Sequence, residues 1–172
     1  DSIKFIRSQN KIYKKNHYLS LLQCTSSYPT PDDEVNLNVI QNLKKYTNLN
    51  IGYSHHNKGD LALISAYLLG AKILEFHFTD TRKGKIFRDH KISLTPIETK
   101  LLINKRIFTN TNTAAAGGAL AALILTQVFY KKVDLTMVLN GALAGLVSIT
   151  AEPLTPTLGW SMIIGGIGGA IV

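Results

Sequence analysis

The sequence predicts an α/β segment built on a parallel sheet, followed by an all-α segment that crosses a membrane. Residues 1–106 carry 17 of the 19 Lys and Arg, 9 of the 11 Asp and Glu and all five His. Residues 107–172 carry two Lys, one Asp and one Glu. The first part alternates short apolar runs with segments of helical periodicity, whereas the second consists of long uncharged runs. We therefore predict two domains, residues 1–106 and residues 107–172.

Composition narrows the function classes. The net charge is +8, but the positive residues are scattered and form no basic stripe with interleaved aromatic residues. We therefore predict no nucleic-acid partner. Cys24 is the single cysteine, which excludes an intrachain disulfide and fits a reducing compartment; we interpret it as a packing residue.

The first strand and the first long helix are predicted from the pattern of residues 1–47. Residues 1–16 have the pattern of the end of an exposed helix, and residues 18–24 form an apolar run typical of a buried parallel strand. Thr30 is a candidate N-cap with Pro31 at the first helical position. Apolar residues at helical spacing then predict a helix that continues to about Thr47.

Two more strands and one helix follow. Residues 50–56 are a predicted strand, residues 61–69 a helix that Gly70 ends, and residues 72–79 a third strand. Strands that alternate with helices of about ten residues indicate βαβ units and a parallel sheet.

Alternation along the strands separates apolar from polar side chains. Glu75 and His77 share one face of the third strand, opposite its apolar residues, and Ser54 shares a face with His56. Polar groups at the carboxyl ends of neighbouring parallel strands predict an active site. The alternative for each residue is a hydrogen-bonded structural role.

Four motifs occur in the order and spacing of a known family. They are LLQCTSSYPTP (residues 21–31), GYSHH (52–56), LGAKILEFHFT (69–79) and DHKISL (89–94). Over about residues 18–100 the chain resembles the N-acetylneuraminate (sialic acid) synthase family. The resemblance implies part of a (β/α)₈ barrel with about three βα units. It also implies an enzyme that condenses phosphoenolpyruvate with an N-acylmannosamine-type sugar.

The resemblance also implies a metal site. His56 and Gln23 fall on the family's two metal-ligand positions, for a divalent cation (Mn or Mg) that polarises the sugar aldehyde as a Lewis acid. Gln23 stands where the best-known members have His, and an amide oxygen is a weaker, harder ligand than imidazole. His55 stands where the usual pattern has Asp, a second departure.

Further roles follow from the same resemblance. Glu75 and His77 match the family's strand-end motif, and we expect them to be catalytic, orienting substrate or metal. The loop of residues 82–90 matches a family loop that would attract an anionic substrate, although a solvated basic loop is the alternative. The expected substrate-binding residues are Ser54, Arg82, Lys85 and Arg88.

The second domain contains three apolar runs. The first has 24 uncharged residues (107–130), the second has 17 (135–151), and the third continues to Val172, close to the span of about 20 residues that crosses a bilayer. Small residues four apart suit a packed bundle of membrane helices. A buried helical pair of a globular protein is the alternative. Asn112 and Asn140 are candidates for hydrogen bonds between helices, and the alternative is that they line a polar path.

This domain is similar to a second family. The motifs NTNTAAAGGALAA (residues 110–122), DLTMVLNGALAGLV (134–147) and ITAEP (149–153) resemble the ammonium transporter family. The resemblance implies about three transmembrane helices of a larger bundle, a homotrimer in a lipid bilayer, and ammonia or ammonium as the transported species.

We therefore hypothesise a composite chain, with a synthase fragment resembling a cytoplasmic enzyme joined to a multi-pass membrane transporter fragment and inactive alone. Two alternatives stay open: a membrane ammonium transport module with an extramembrane appendage, and a membrane-tethered synthase completed by another chain.

Overall fold

Three parallel strands organise the first of two units, which ends at Lys100 in a computed structural model that describes residues 2–172. The strands lie side by side in the order β1, β2, β3, with β1 paired to β2 and β2 paired to β3. The helices and strands of this unit are α1 (Ser2–Gln9), β1 (Ser20–Cys24), α2 (Asn38–Tyr46), β2 (Asn50–His55), α3 (Leu61–Leu68) and β3 (Ile73–Phe76).

The core lies between the sheet and helices α2 and α3. Ile51 and Tyr53 of β2 are each only 2% exposed, and Ile40 of α2 and Leu63 of α3 are fully buried; both helices contact β2. Burying an aliphatic side chain of this size stabilises a fold by about 1.5–3 kcal/mol. The parallel α/β arrangement predicted from the sequence is confirmed.

The helix α3 ends as its sequence indicates. Gly70 has a φ of +83°, a left-handed conformation that costs glycine little, and its N–H donates to the Tyr67 carbonyl at 2.8 Å. The N–H of Ala71 donates to the Ala66 carbonyl at 2.9 Å. These bonds satisfy carbonyls at the end of the helix and turn the chain toward β3.

The predicted helix start at Pro31 is wrong. A short 3₁₀ turn, Asp32–Glu34, follows Pro31, and α2 begins only at Asn38. Asn36 has a φ of +53°, which interrupts helical geometry. Thr30 does not cap a helix: its hydroxyl donates to the Ser27 carbonyl at 2.9 Å.

A fourth extended segment adjoins β3. Leu94 N–H donates to the His77 carbonyl at 2.8 Å, and Thr79 N–H donates to the Leu94 carbonyl at 3.0 Å, in a parallel bridge between Phe78 and Leu94. Just beyond it, Glu98 accepts bonds from the backbone N–H and the hydroxyl of Thr95 at 2.8 and 2.9 Å. This is a capping box, with Pro96 at the first helical position.

The second unit, Leu101–Val172, is helical. Its elements are α4 (Pro96–Tyr130, which begins before the unit boundary), α5 (Leu135–Ile149) and α6 (Leu158–Ile171). The helices approach closely: a Cβ on Gly165 would collide with the Ala114 carbonyl, and one on Gly118 with the Gly141 carbonyl. Small residues therefore set the spacing between the helix axes.

The asparagine that bonds to another segment of this unit is not one of the two expected. Asn112 and Asn140 are exposed, whereas Asn110 is fully buried and its amide donates to the Pro153 and Pro156 carbonyls at 2.7 and 3.0 Å. Asn110 thus fastens α4 to the loop between α5 and α6.

One helix in the part of the chain that the structure describes, α4, is long and apolar enough to cross a membrane. Helices α5 and α6 have 15 and 14 residues, fewer than the roughly 20 that span a bilayer. The prediction of about three spanning helices therefore has weak support, from one helix.

Candidate functional site

The candidate site lies where the three strands end. Cys24 is paired with Ser54, and Ser54 with Glu75, so the three side chains share one face of the sheet. The Ser54 hydroxyl donates to Glu75 Oε1 at 2.7 Å. His56 follows Ser54 by two residues, and His77 follows Glu75 by two residues. Both histidines therefore extend the row of polar groups at the carboxyl ends of the strands.

His56 is held in place by two hydrogen bonds. It is 7% exposed; its Nδ1 lies 2.9 Å from the Thr25 carbonyl and its Nε2 lies 2.8 Å from the Tyr28 hydroxyl. The Cys24 Sγ is 3.7 Å from Nδ1. The His56 carbonyl accepts the Thr30 N–H at 2.8 Å, so the loop after β1 is fastened to the end of β2.

An aromatic stack surrounds His56. The Tyr28 ring lies on His56, with ring centroids 4.1 Å apart and planes inclined by 29°. The His77 ring is 5.4 Å from His56 and 5.8 Å from Tyr28. The Arg88 guanidinium lies over the Tyr28 ring, 4.6 Å from its centroid, a cation–π contact. We call Tyr28, His56, His77 and Arg88 the stacked cluster.

Asp89, within the loop of residues 82–90, contacts two members of the stacked cluster. Its carboxylate is 4.0 Å from His77 Nδ1 and 3.5 Å from Arg88 Nε. Arg88 itself remains largely exposed, with 67% of its side chain accessible. Of the expected substrate-binding cations, Arg88 is therefore the one placed beside the strand ends with its charge toward solvent.

Arg82 and Lys85 are occupied elsewhere. Arg82 forms a bidentate ion pair with Glu98, at 3.0 and 2.5 Å, and donates to the Ser93 carbonyl. The Arg82 bond, followed by the Thr95 backbone bond, lowers the pKa of Glu98 to about 2. Lys85 pairs with Asp80 and lowers the pKa of that carboxyl to about 2. Both cations fasten their own loop, and neither is directed at the stacked cluster.

The structure does not bring Gln23 to His56. Gln23 is paired with Tyr53, so it lies on the opposite face of the sheet from Cys24 and Ser54, and its amide lies 3.4 Å from the Val35 carbonyl. Cys24 takes the place beside His56. Within residues 2–172, no group of three or more His, Cys, Asp or Glu is arranged to hold a metal ion. The side chains present do not fit a divalent cation bound by His56 and Gln23.

His55 belongs to the core rather than to the site. It is 1% exposed, its Nε2 lies 2.9 Å from the Gly59 carbonyl, and its ring meets Tyr53 edge-on. Burial lowers the pKa of His55 and raises the pKa of Tyr53 to about 12. A histidine where the related pattern has aspartate is accommodated here as a neutral, hydrogen-bonded group.

Reasoning from sequence missed Tyr28, which belongs to the stacked cluster, and Asp89, which contacts it. Both lie outside the strands: Tyr28 in the loop after β1, and Asp89 in a short 3₁₀ turn, Arg88–Lys91. The signal for Tyr28 was its place in the motif of residues 21–31, immediately after β1, and for Asp89 its place at the start of the motif of residues 89–94.

Comparison with known proteins identifies relatives of the first unit. The NeuB family model matches residues 2–118, past the predicted domain boundary at residue 106. The N,N'-diacetyllegionaminic acid synthase of Campylobacter jejuni is 44% identical over 88 residues, 51% of this chain and 26% of that protein. Human N-acetylneuraminate-9-phosphate synthase is 43% identical over 91 residues, 51% of this chain and 24% of that protein.

A solved structure shares the fold. The N-acetylneuraminic acid synthetase of Leptospira borgpetersenii superposes with a TM-score of 0.53 and 36% identity, over 59% of this chain and 35% of that one. The chain thus spans about a quarter of the length of the curated relatives it matches. The comparisons give no support to an ammonium transporter component or to a composite chain.

Proposed function

This chain belongs to the NeuB family, and we propose that its first unit supplies the carboxyl-end face of a nonulosonate synthase site. The reaction is the condensation of phosphoenolpyruvate with an N-acylmannosamine-type sugar. A carbon–carbon bond forms between the enol carbon and the sugar aldehyde carbon, water adds to the enolpyruvyl carbon, and phosphate is released.

The stacked cluster is the observation that carries the proposal. Sites on parallel barrels lie at the carboxyl ends of the strands, and here two adjacent strands, β2 and β3, direct Ser54, His56, Glu75 and His77 to that edge. Tyr28, from the loop after β1, and Arg88, from the 3₁₀ turn Arg88–Lys91, extend the same surface. A row of hydroxyl, carboxylate and imidazole groups suits a polyhydroxylated sugar.

Individual residues take distinct parts in this proposal. Glu75, already accepting a bond from Ser54, has carboxylate oxygen capacity left for a sugar hydroxyl. His77, with Asp89 at 4.0 Å, orients substrate from the neighbouring strand. Arg88 attracts an anionic substrate. We assign no role to a divalent cation, because the side chains around His56 do not form a binding site for one.

A segment exchange tests the proposal. The 88 residues aligned with the Campylobacter jejuni synthase replace their counterpart in that enzyme, and phosphate release is measured with phosphoenolpyruvate and the enzyme's own sugar. We expect turnover, and we expect His77→Ala in the hybrid to lower kcat/KM by about 10-fold or more. The isolated chain is assayed in parallel.

Lys58→Ala is the matched control, because Lys58 is exposed in the loop after β2. It should leave turnover unchanged. A hybrid that folds with native helix content but releases no phosphate, or one in which His77→Ala behaves like the control, would contradict the proposed function.

For the second unit we propose that the uncharged part of α4, residues 107–130, lies in a membrane. The support is its length and hydropathy together with large apolar side chains on the surface of the unit, such as Phe129, Val147 and Ile167 at 71, 70 and 60% exposure. The expressed chain should remain in the membrane fraction after alkaline carbonate extraction. Release into the supernatant would contradict this location.

A further inference from the structure

The contacts of His56 determine what its imidazole is able to do. Thr25 offers a carbonyl oxygen, which only accepts hydrogen bonds, so the Nδ1 at 2.9 Å must carry a proton. In the neutral ring the lone pair is then on Nε2, 2.8 Å from the Tyr28 hydroxyl. Tyr28 therefore donates to His56.

No lone pair of His56 remains available to a metal ion in this arrangement. In the neutral ring the Nε2 lone pair accepts the Tyr28 proton, and in the charged ring both nitrogens carry protons. Tyr28 also covers the ring face at a centroid distance of 4.1 Å. A cation would have to displace Tyr28, whose ring also contacts the Arg88 guanidinium, 4.6 Å from the ring centroid.

The same arrangement leaves the phenol oxygen of Tyr28 able to accept a hydrogen bond. Because its proton is directed at His56, its acceptor lone pairs are available to another donor. The ring contacts both the His56 imidazole and the Arg88 guanidinium, and these contacts orient the lone pairs before a ligand arrives. A hydroxyl group of a sugar is a donor of the required kind.

We propose that in this chain His56 is a positioning residue for Tyr28, and that Tyr28 accepts a hydrogen bond from a sugar hydroxyl at the place where a metal centre would otherwise act. The identity of the ligand as a sugar rests on the proposed function. The Tyr28–His56 unit and the absence of a metal bond at His56 do not, so they are tested separately.

Nitrogen-15 NMR of histidine-labelled chain at pH 8 reads the tautomer directly. Wild-type His56 should carry its proton on Nδ1. Tyr28→Phe, which keeps the ring and removes the hydroxyl, should lower the ratio of Nδ1–H to Nε2–H tautomer about 5-fold, the equivalent of about 1 kcal/mol for one hydrogen bond. Tyr46→Phe is the control, because Tyr46 is 85% exposed and should change nothing.

A wild-type His56 protonated at Nε2, or a tautomer ratio unaffected by Tyr28→Phe, would overturn the pairing. The signals of His55 and His77 report in the same spectrum whether the variant keeps its fold.

Electron paramagnetic resonance with Mn²⁺ tests the metal directly. Wild type should reduce the free Mn²⁺ signal no more than His56→Ala does. Depletion by wild type that His56→Ala abolishes would overturn the inference, whatever the activity of the hybrid enzyme. Conversely, an inactive hybrid with the expected tautomer and no Mn²⁺ binding would reject the proposed function and leave the Tyr28–His56 unit standing.

Discussion

Replacing Glu98 by glutamine should weaken the attachment of the basic loop to the start of α4. Glu98 binds Arg82 through both oxygens and also closes the capping box with Thr95. Its pKa falls from 4.5 to about 2, which corresponds to at most about 3.5 kcal/mol at about 1.4 kcal/mol per pH unit. The Arg82 and Glu98 side chains remain 39% and 36% exposed, so solvent screening reduces the expected loss to about 1 kcal/mol.

The pH dependence has a definite sign. A carboxyl whose pKa is lowered by folding stabilises the native state above its ordinary pKa, and the contribution is lost as pH falls from 4.5 toward about 2. Urea denaturation followed by circular dichroism should therefore separate wild type from Glu98→Gln at pH 7 and bring them together near pH 2. Lys83→Gln, an exposed neighbour of Arg82, is the control. A difference that is absent at pH 7, or that persists undiminished at pH 2, would refute the reasoning.

Three further predictions concern stability, each measured by urea denaturation. Leu63→Ala should lower the free energy of unfolding by about 2–5 kcal/mol, because Leu63 is fully buried; a loss below 1 kcal/mol would argue against that core. Gly70→Ala should cost about 1 kcal/mol or more, because φ is +83°, whereas Gly59→Ala, also at positive φ but with open space around it, should cost less than Gly70→Ala. His55 has a pKa lowered by burial, so stability should fall as pH drops below about 6.5; His55→Phe should reduce that slope, and an unchanged slope would contradict it.

Much of the structure of the first unit was predicted from local sequence patterns, and the errors in that prediction have physical causes. Alternation placed Glu75 and His77 opposite Leu74 and Phe76, since a strand has a period of two. The start of α2 was misplaced because the left-handed Asn36 has no strong signature in a window of ten residues.

The arrangement of the site depends on register and on distant partners, which single-sequence patterns do not encode. Gln23 and Cys24 are adjacent in sequence, and only the pairing of β1 with β2 decides which one meets His56. Arg82 was expected at the substrate, but Glu98, 16 residues away, binds it. Tyr28 contacts His56 across 28 residues.

The position of β1 in the sheet has a consequence for any assembly of this protein. Within residues 2–172, β1 is hydrogen-bonded to β2 on one side only. The backbone amides and carbonyls on its other side therefore form an unpaired strand edge. An unpaired edge can bind a further strand, whether from more of the same polypeptide, a second copy or an unrelated chain. The tendency of the protein to form fibres or mixed oligomers will therefore depend on which strand pairs with this edge of β1, Ser20–Cys24.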